Sequence, residues 1–343
     1  MATAQPNYWP TLYTISKGLD NNGKLAAVGE VLNEKNEILD DIPWQVCNST
    51  ASHKLSLREN IPAPTWRQFN QGIYPSVSTT GQIEEVCGMM ANYSEVDKAL
   101  ADLNGNTSDY KLKQATPIIE GFNQDLASTL VDGDYATDKA KFNGLSARYY
   151  GLTSSTGGTT YENVIDAEGT NADVQTSIYL VGWSPNTVYG IYPKGSVAGL
   201  KMDDRGQVTI SPTTGGQFEG YRTYFEWQCG LAIEDWRYVV RIANIDFTKL
   251  QQAGDATDNS ANLMKYMSLA LDIPPSSGNV RWAFYCHKKV RSYLRVQLMN
   301  KSNTWLTLEN ITNGQGITRP TLSFMGVPIR RVDKMSLTEA ILD

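Results

Sequence analysis

Residues 43–90 constrain the fold most, because they contain strand-like pieces that have no core of their own. The pieces HKLSLREN, TWRQFNQGI and GQIEEVCGMM are separated by the turn-forming stretches IPAP and YPSVSTTG. Charged residues recur along these strands, and an isolated hairpin is only marginally stable in water. The sequence therefore predicts a long polar hairpin that must lie on a neighbouring surface.

The rest of the chain predicts an α+β fold. Apolar residues recur at three- and four-residue steps from Lys111 to Val131, which indicates a long helix that Pro117 starts or kinks. SEVDKALADL predicts a short helix with Ser94 as its N-cap. Residues 151–176, rich in Gly, Thr, Ser and Asn, predict a surface loop, and mixed strands and helices follow with few βαβ alternations.

The segment QCGLAIEDWRYVVRIANID combines an apolar strand pattern with unusual charge. If Trp236 to Ile245 is a strand, Arg237 and Arg241 share one face and lie about 13 Å apart. That distance is too long for both to hold one phosphate, but each can pair with its own carboxylate. A solvated sheet face and a subunit contact both fit this pattern, since protein interfaces favour arginine and large aromatic residues.

Composition and charge exclude several classes of protein. The chain has 343 residues, 41% of them hydrophobic, enough for a sizeable core. A net charge of −6 argues against a dedicated nucleic-acid binder. The first residues lack a basic head followed by an apolar run, and no apolar stretch is long enough to span a membrane, so we expect a cytosolic origin. In such a compartment the four scattered cysteines are expected to be free thiols.

None of the motifs predicts an enzyme or a cofactor site. GLDNNGKL has the frame of a phosphate-binding loop, but Leu25 replaces the Ser or Thr that would hold magnesium. Asp132, Asp134 and Asp138 lack the glycine and the closing glutamate of a calcium loop, so turn chemistry explains them better. The only two histidines, His53 and His287, make no metal-binding pattern. We predict no catalytic residue, no metal and no cofactor.

Several segments, in order, resemble the major capsid protein of short-tailed double-stranded DNA phages. They cover nearly all of residues 43–333, and the ordered set is more specific than any member: APTWRQFNQGI, SEVDKALADL, KFNGLSARYYGL, SIYLVGWSPNTVYGIYPKGSVAGL, CGLAIEDWRYVVRIANID and MGVPIRRVD. Residues 1–42 and 151–176 match least well. Two other classes stay open: a β-rich virion or surface binding module such as an adhesin, and a hydrolase with buried acids.

The resemblance implies the Hong Kong 97-type capsid fold, with an N-terminal arm, a two-stranded E-loop, a P-domain with a spine helix, and an A-domain. SIYLVGW precedes the VRWAFYC strand here, unlike the order expected in the founding branch of the fold, which leaves strand order open. The implied division of the chain is an arm at 1–42, an E-loop at 43–90, a P-domain with the spine helix at 91–150, a surface loop at 151–176, the A-domain and remaining P-domain strands at 177–318, and C-terminal strands at 319–343.

The resemblance also implies that the protein assembles into a larger structure and does not catalyse a reaction. The protein would self-assemble into pentamers and hexamers of an icosahedral shell, made in the host cytoplasm, that encloses double-stranded DNA without reading its sequence and binds no membrane. Scaffolding, portal and cement proteins are the expected partners. We expect arginines, with aromatic neighbours, to pair with carboxylates within the subunit or on a neighbour. The candidate contact residues are Arg58, Trp66, Arg67, Asp235, Trp236, Arg237, Arg241, Arg330 and Arg331.

Overall fold

The computed structural model describes most of the chain beyond residue 35. The described residues are 36–50, 52–58, 60–102, 107–211, 215–251, 262–275, 280–298, 306–312 and 318–342. They divide into two compact units. The small unit comprises Ala91–Phe122 and Lys201–Glu226, and the large unit comprises the other described residues. Most of the arm predicted at 1–42 lies outside the described residues.

The described residues form an α+β fold, as the sequence predicted. The strands are β1 (Trp44–Val46), β2 (Ser52–Arg58), β3 (Thr80–Val86), β4 (Gly88–Asp97), β5 (Val164–Asp166), β6 (Gln175–Trp183), β7 (Val188–Tyr192), β8 (Lys201–Ile210), β9 (Phe218–Ile233), β10 (Val239–Asp246), β11 (Arg281–Cys286), β12 (Leu306–Thr312), β13 (Thr318–Phe324) and β14 (Val327–Arg331). The α-helices are α1 (Lys98–Ala101), α2 (Thr107–Asp132), α3 (Ser154–Gly157), α4 (Phe247–Gln251), α5 (Leu263–Asp272) and α6 (Lys288–Leu298). None of the helices in these ranges is long and apolar enough to cross a membrane.

Strands β6 and β10 form the centre of the large unit. They pair antiparallel, and every residue of both is buried. Alternate residues of β6 enter different cores, with Tyr179 and Val181 in one and Ile178 and Leu180 in the other. Leu126 and Leu130 of α2 pack in the first core, and α5 and α6 pack in the second. Helices thus cover both faces, which explains why these strands are apolar throughout.

The rest of the main sheet extends from this centre. Among the described residues its strands follow the order β12-β13-β14-β11-β6-β7-β9-β4, with β1, β5, β8 and β10 attached to its members. A two-residue turn at Met325 and Gly326 joins β13 to β14, and both residues have positive φ, 49° and 83°. Glycine adopts that conformation without steric cost, so the MGV sequence fits a tight hairpin turn.

The small unit contains the chain around β8 and the parts of β4, β9 and α2 within its ranges. β8 pairs antiparallel with β9, and a bulge lies between Asp204 and Gln207. Lys111 contacts the Asp204 carboxylate at 3.0 Å, and Tyr93 packs on Tyr224 with ring centroids 4.9 Å apart. Both interactions lie at the surface, so we expect each to contribute little.

Four local predictions differ from the structure. TWRQFNQGI, predicted to be strand-like, has no regular secondary structure. The helix predicted to begin at Ser94 begins at Lys98, because β4 continues to Asp97, whose side chain accepts a hydrogen bond from the Ala99 amide at 2.8 Å. The strand predicted at 236–245 begins at Val239, since Asp235 caps a 3-10 turn at Trp236–Tyr238 by accepting from the Arg237 amide. Residues 151–176, predicted to be a surface loop, contain α3, a 3-10 helix at Gly158–Asn163 and β5, which pairs parallel with β10.

Candidate inter-subunit surface

The most exposed apolar surface of the large unit lies at the end of the β2–β3 hairpin. The two strands pair antiparallel from Ser52 opposite Val86 to Arg58 opposite Thr80. Among the described side chains of this hairpin, the buried ones lie at its base, at His53, Leu55 and Glu85. The hairpin therefore leaves its own core as the chain proceeds towards residue 60.

We call residues 60–79 the hairpin tip. It has no regular secondary structure, and its large apolar side chains face solvent. Trp66, Phe69 and Tyr74 are 98%, 100% and 94% exposed. Ile61, Ile73 and Val77 are also exposed. Single exposed apolar residues are normal on a protein, but six in one segment form an unusually large exposed apolar patch among the described residues.

Local hydrogen bonds shape the hairpin tip without burying it. The Gln68 amide donates to the Gln71 side chain at 3.1 Å, and the Gln71 amide donates to the Gln68 carbonyl at 3.3 Å. Asn70, in the middle of this turn, has φ 68°, a conformation that asparagine tolerates better than most residues. Ser78 Oγ donates to the Asn60 carbonyl at 3.0 Å and joins the two ends of the tip. The exposed side chains thus stand on an ordered loop.

A buried ion pair fixes the base of the hairpin to the large unit. The Arg148 guanidinium makes a bidentate contact with the Glu85 carboxylate, and one of the two bonds is 2.7 Å long. Arg148 also donates to the carbonyls of Asn143 and Leu231. The sequence does not reveal this pair, because the two partners are 63 residues apart. This contact holds the base of the hairpin while the tip stays outside the core.

The structure disperses the predicted contact residues instead of gathering them. Trp66 and Arg67 lie together on the hairpin tip, and both are exposed. Arg58 lies at the end of β2, but its side chain is outside the described part of the structure. Arg237 is exposed and pairs with Asp235 at 2.7 Å, and the half-buried Trp236 uses its carbonyl to accept from Tyr149 Oη.

Arg241 is an interior residue, so the solvated-face interpretation of this position is wrong. Its side chain is about 5% exposed and contacts Glu339 at 2.7 Å. It also donates to Ser177 Oγ at 3.0 Å and to the Tyr149 carbonyl at 2.7 Å. The pairing within the subunit is one of the two alternatives that the sequence left open. A buried cation needs such partners, because an unpaired charge in the interior is very costly.

Arg330 and Arg331 also have carboxylate partners within the chain. Arg330 Nε lies 3.2 Å from the buried Asp41 carboxylate, and Arg331 makes a bidentate contact with Asp333. Asp41 also accepts from Tyr285 Oη at 2.8 Å. Burial, and then the Asp41 charge, raise the pKa of Tyr285 well above its ordinary value, so this hydroxyl remains a donor. The Arg330 side chain, and the Arg331 amide, which donates to Glu37 at 2.8 Å, join residues 36–42 to β14.

The histidines and acids that the sequence analysis considered have structural roles in the described part of the chain. Within the described ranges, no group of three or more His, Cys, Asp or Glu residues is placed to hold a metal ion. Asp134 accepts from the Ala136 amide and from Thr137 Oγ1, as expected for a turn residue. His287 accepts from the Lys289 amide at 3.2 Å and caps α6. The two histidines and the acids that sequence reasoning considered therefore have structural partners.

Comparison with solved structures defines the class of protein. The chain is similar over 100% of its length to the capsid structure of bacteriophage Epsilon15, at 29% identity and a TM-score of 0.76, and covers 99% of that chain. The fold is the Hong Kong 97-type capsid fold. The capsid of bacteriophage JBD30 (9% identity, 89% and 93% of the two chains, TM-score 0.49) and that of a native GTA particle (9%, 63% and 92%, 0.46) are less similar and support no further conclusion.

The family follows from the sequence match. Residues 20–343 match the family described as major capsid protein GP7, so the chain belongs to that family. It is a structural component of a phage capsid shell and not an enzyme. No curated protein sequence matches this chain. The adhesin-like binding module and the hydrolase are not favoured by these findings.

Proposed function

We propose that this protein builds the pentamers and hexamers of an icosahedral shell, and that its hairpin is the main contact between neighbouring subunits. Residues 43–90 would be the E-loop, residues 91–150 would belong to a P-domain whose spine helix is α2, and residues 1–42 would form an arm. The observation that carries the proposal is the hairpin tip, where Trp66 and Phe69 are almost completely exposed. Burying each such side chain on a neighbour contributes about 1.5–3 kcal/mol.

In a closed shell every subunit makes this modest contact, so its stabilising effect is repeated many times. Each subunit would place its hairpin tip on one neighbour and receive another neighbour's tip, a head-to-tail arrangement that closes into rings. Many weak contacts together stabilise the shell, while a single wrong contact can still dissociate. Exposed pairs such as Arg237–Asp235 would add little to this assembly.

The shell would form in the host cytoplasm and enclose double-stranded DNA. The chain carries a net charge of −6, which supports a wall that does not hold DNA tightly. Scaffolding, portal and cement proteins are the partners that we propose for assembly, DNA entry and reinforcement of the shell. None of these contacts would require base recognition.

Charge reversal at Arg67 tests the proposed role of the hairpin tip. The side chain is exposed, so Arg67→Glu should leave the subunit folded but block shell formation through repulsion and desolvation at the contact. Electron microscopy and light scattering measure shell yield, and circular dichroism measures folding. The matched control is Arg67→Lys, which keeps the positive charge.

Each outcome is informative. Loss of shells from folded Arg67→Glu protein, with shells retained by Arg67→Lys, supports the assignment. Normal shells from Arg67→Glu would contradict it. An unfolded Arg67→Glu subunit would make Arg67 a residue that maintains local structure and would also contradict the proposed role.

A further inference from the structure

Two free thiols meet at the neck of the hairpin. Cys47 Sγ and Cys87 Sγ lie 3.5 Å apart, although the residues are separated by 40 positions in the sequence. Cys47 follows β1 and extends its pairing, since its amide donates to the Tyr192 carbonyl at 2.9 Å. Cys87 lies between β3 and β4. The two thiols therefore stand where the chain enters and leaves the hairpin.

Hydrogen bonds hold the first of these strands in place. Asn48 accepts from the Lys54 amide at 2.8 Å and donates to the Lys54 carbonyl at 2.7 Å. The Asn48 amide donates to His53 Nδ1, so the neutral ring carries its proton on Nε2, which lies 3.0 Å from Tyr189 Oη. The turn after Cys47 is thus fixed to β7, and Cys47 stays beside Cys87.

The two sulfur atoms are close to bonding distance. A disulfide needs a sulfur–sulfur distance of about 2.05 Å, so the two sulfur atoms must approach by about 1.5 Å. We infer that Cys47 and Cys87 form a redox-sensitive modification site, which closes into an intrachain disulfide across the hairpin neck when the protein meets a low-molecular-weight disulfide. The other two thiols belong to different hydrophobic clusters, since Cys286 lies in the second core with Phe284 and Cys229 lies in the first core.

The reaction is an ordinary thiol–disulfide exchange. The thiolate of one cysteine attacks a sulfur of the small disulfide, forms a mixed disulfide and releases one small thiolate. The thiolate of the second cysteine then attacks the protein sulfur of that mixed disulfide and releases the second small thiol. Two protein thiols are oxidised, one small disulfide is reduced to two thiols, and no other oxidant is consumed.

Burial controls the order and the rate of these steps. Cys87 is half-buried and Cys47 is buried, so we expect Cys87 to meet the small disulfide first. Burial raises the pKa of both thiols, which leaves little thiolate at neutral pH and makes the exchange slow. The rate should rise about tenfold per pH unit while the pH stays below both pKa values.

The slow exchange and the reducing conditions inside the cell together determine when this disulfide can form. A reducing cytoplasm keeps such thiols reduced, and oxidation becomes possible after a virion leaves the cell. During assembly the hairpin neck would be held by hydrogen bonds and the Arg148–Glu85 ion pair alone, and the disulfide would add a covalent link in the released shell. This role rests on the proposed function, whereas the bond itself requires only the fold of the large unit.

Oxidation with glutathione disulfide at pH 8 tests the inference on full-length protein, both as soluble subunits and as shells. Thiols are alkylated after denaturation, and peptide mass spectrometry under non-reducing conditions locates any linkage. We expect a Cys47–Cys87 linkage in most chains, with Cys229 and Cys286 alkylated. Oxidation should also raise the melting temperature by about 2–5 °C. Cys87→Ser should lose this shift and the control Cys286→Ser should keep it.

The outcomes separate this inference from the proposed function. A linkage in soluble subunits that form no shells, even when they are coexpressed with a scaffolding protein, would support the disulfide and contradict the shell proposal. Normal shells in which Cys47 and Cys87 both remain alkylatable after prolonged oxidation would overturn the disulfide and leave the shell proposal intact. Linkages between different chains, or between Cys87 and Cys229, would also overturn it. The mapping on wild-type protein decides the question even if Cys87→Ser does not fold.

Discussion

The hairpin tip and strand β10 use similar residues in opposite ways. At the tip, Trp66 and Arg67 face solvent and the surrounding apolar side chains have no core. In β10 every residue is buried, and Arg241 lies over the Tyr179 ring at 5.6 Å while contacting Glu339. An arginine beside an aromatic ring therefore does not define a surface or an interior. Whether each of these two arginines lies at the surface or in the interior depends on whether the same chain supplies a carboxylate partner for it.

The comparison predicts how mutations divide between folding and assembly. Substitutions in the interior should lower the free energy of unfolding of the unassembled subunit. Substitutions at the hairpin tip should leave that free energy nearly unchanged and should instead lower the yield of shells. The following three predictions are ordered by their expected effect on unfolding.

The largest effect is expected for Arg241→Ala. It leaves the Glu339 carboxylate and the Tyr149 carbonyl without their main donor in the interior, which should cost about 3–5 kcal/mol. Urea unfolding of the soluble subunit measures this change. The matched control is Arg237→Ala, whose exposed pair with Asp235 should be worth at most about 1 kcal/mol. Equal effects of the two variants would contradict the contrast between interior and surface arginines.

An intermediate effect is expected from acidification, through His287. Burial, and then the Lys288 charge, lower the pKa of His287 to about 4 in the folded protein, against about 6.5 in the unfolded chain. The folded state disfavours the protonated ring, so stability is complete above pH 6.5 and is lost as the pH falls towards 4. Between pH 7 and 5 the loss should be about 2 kcal/mol.

Urea unfolding of wild type and His287→Asn at both pH values isolates this contribution. Asparagine can cap α6 without titrating, so the variant should lose about 2 kcal/mol less than wild type over this interval. An identical pH dependence in the two proteins would show that His287 does not titrate as its surroundings require. His53→Asn is not an equivalent control, since His53 holds the hairpin neck through Tyr189.

The smallest effect on unfolding is expected for Phe69→Ser. The ring is fully exposed, so its removal should change the free energy of unfolding by less than about 0.5 kcal/mol. Shell yield should nevertheless fall sharply, because every subunit loses the same contact. Light scattering and electron microscopy of the assembly reaction provide the measurement. If the Phe69→Ser subunit lost substantial stability but still formed normal shells, Phe69 would contribute to folding and not to the contact between subunits.

Local patterns predicted the elements well and the partners poorly. The helix expected at Lys111–Val131 is observed at Thr107–Asp132, since its apolar period extends over many turns. The strand expected from Trp236 starts at Val239, because the Asp235 side chain accepts from the Arg237 amide and turns the chain there. Such a side-chain cap competes with strand pairing in a way that an alternating pattern cannot reveal.

The environments of Arg241 and Arg330 depend on distant parts of the sequence, whereas Arg237 and Arg331 pair with carboxylates two residues away. Arg241 and Glu339 are 98 positions apart, so no spacing rule connects them. Trp66 and Arg67 were predicted to be contact residues, but their neighbours Phe69 and Tyr74 were not singled out. Their sequence shows no alternation, and only the structure establishes that no part of the described chain covers them.

The contact between Arg241 and Glu339 has a consequence for protein synthesis. The ribosome makes β10 long before it makes residue 339, so the central strand emerges with a cation that still lacks its carboxylate. A chain truncated before Glu339 would keep that defect permanently in its interior. Incomplete translation products would then fold poorly, and cellular proteases would remove them before they could enter a growing particle.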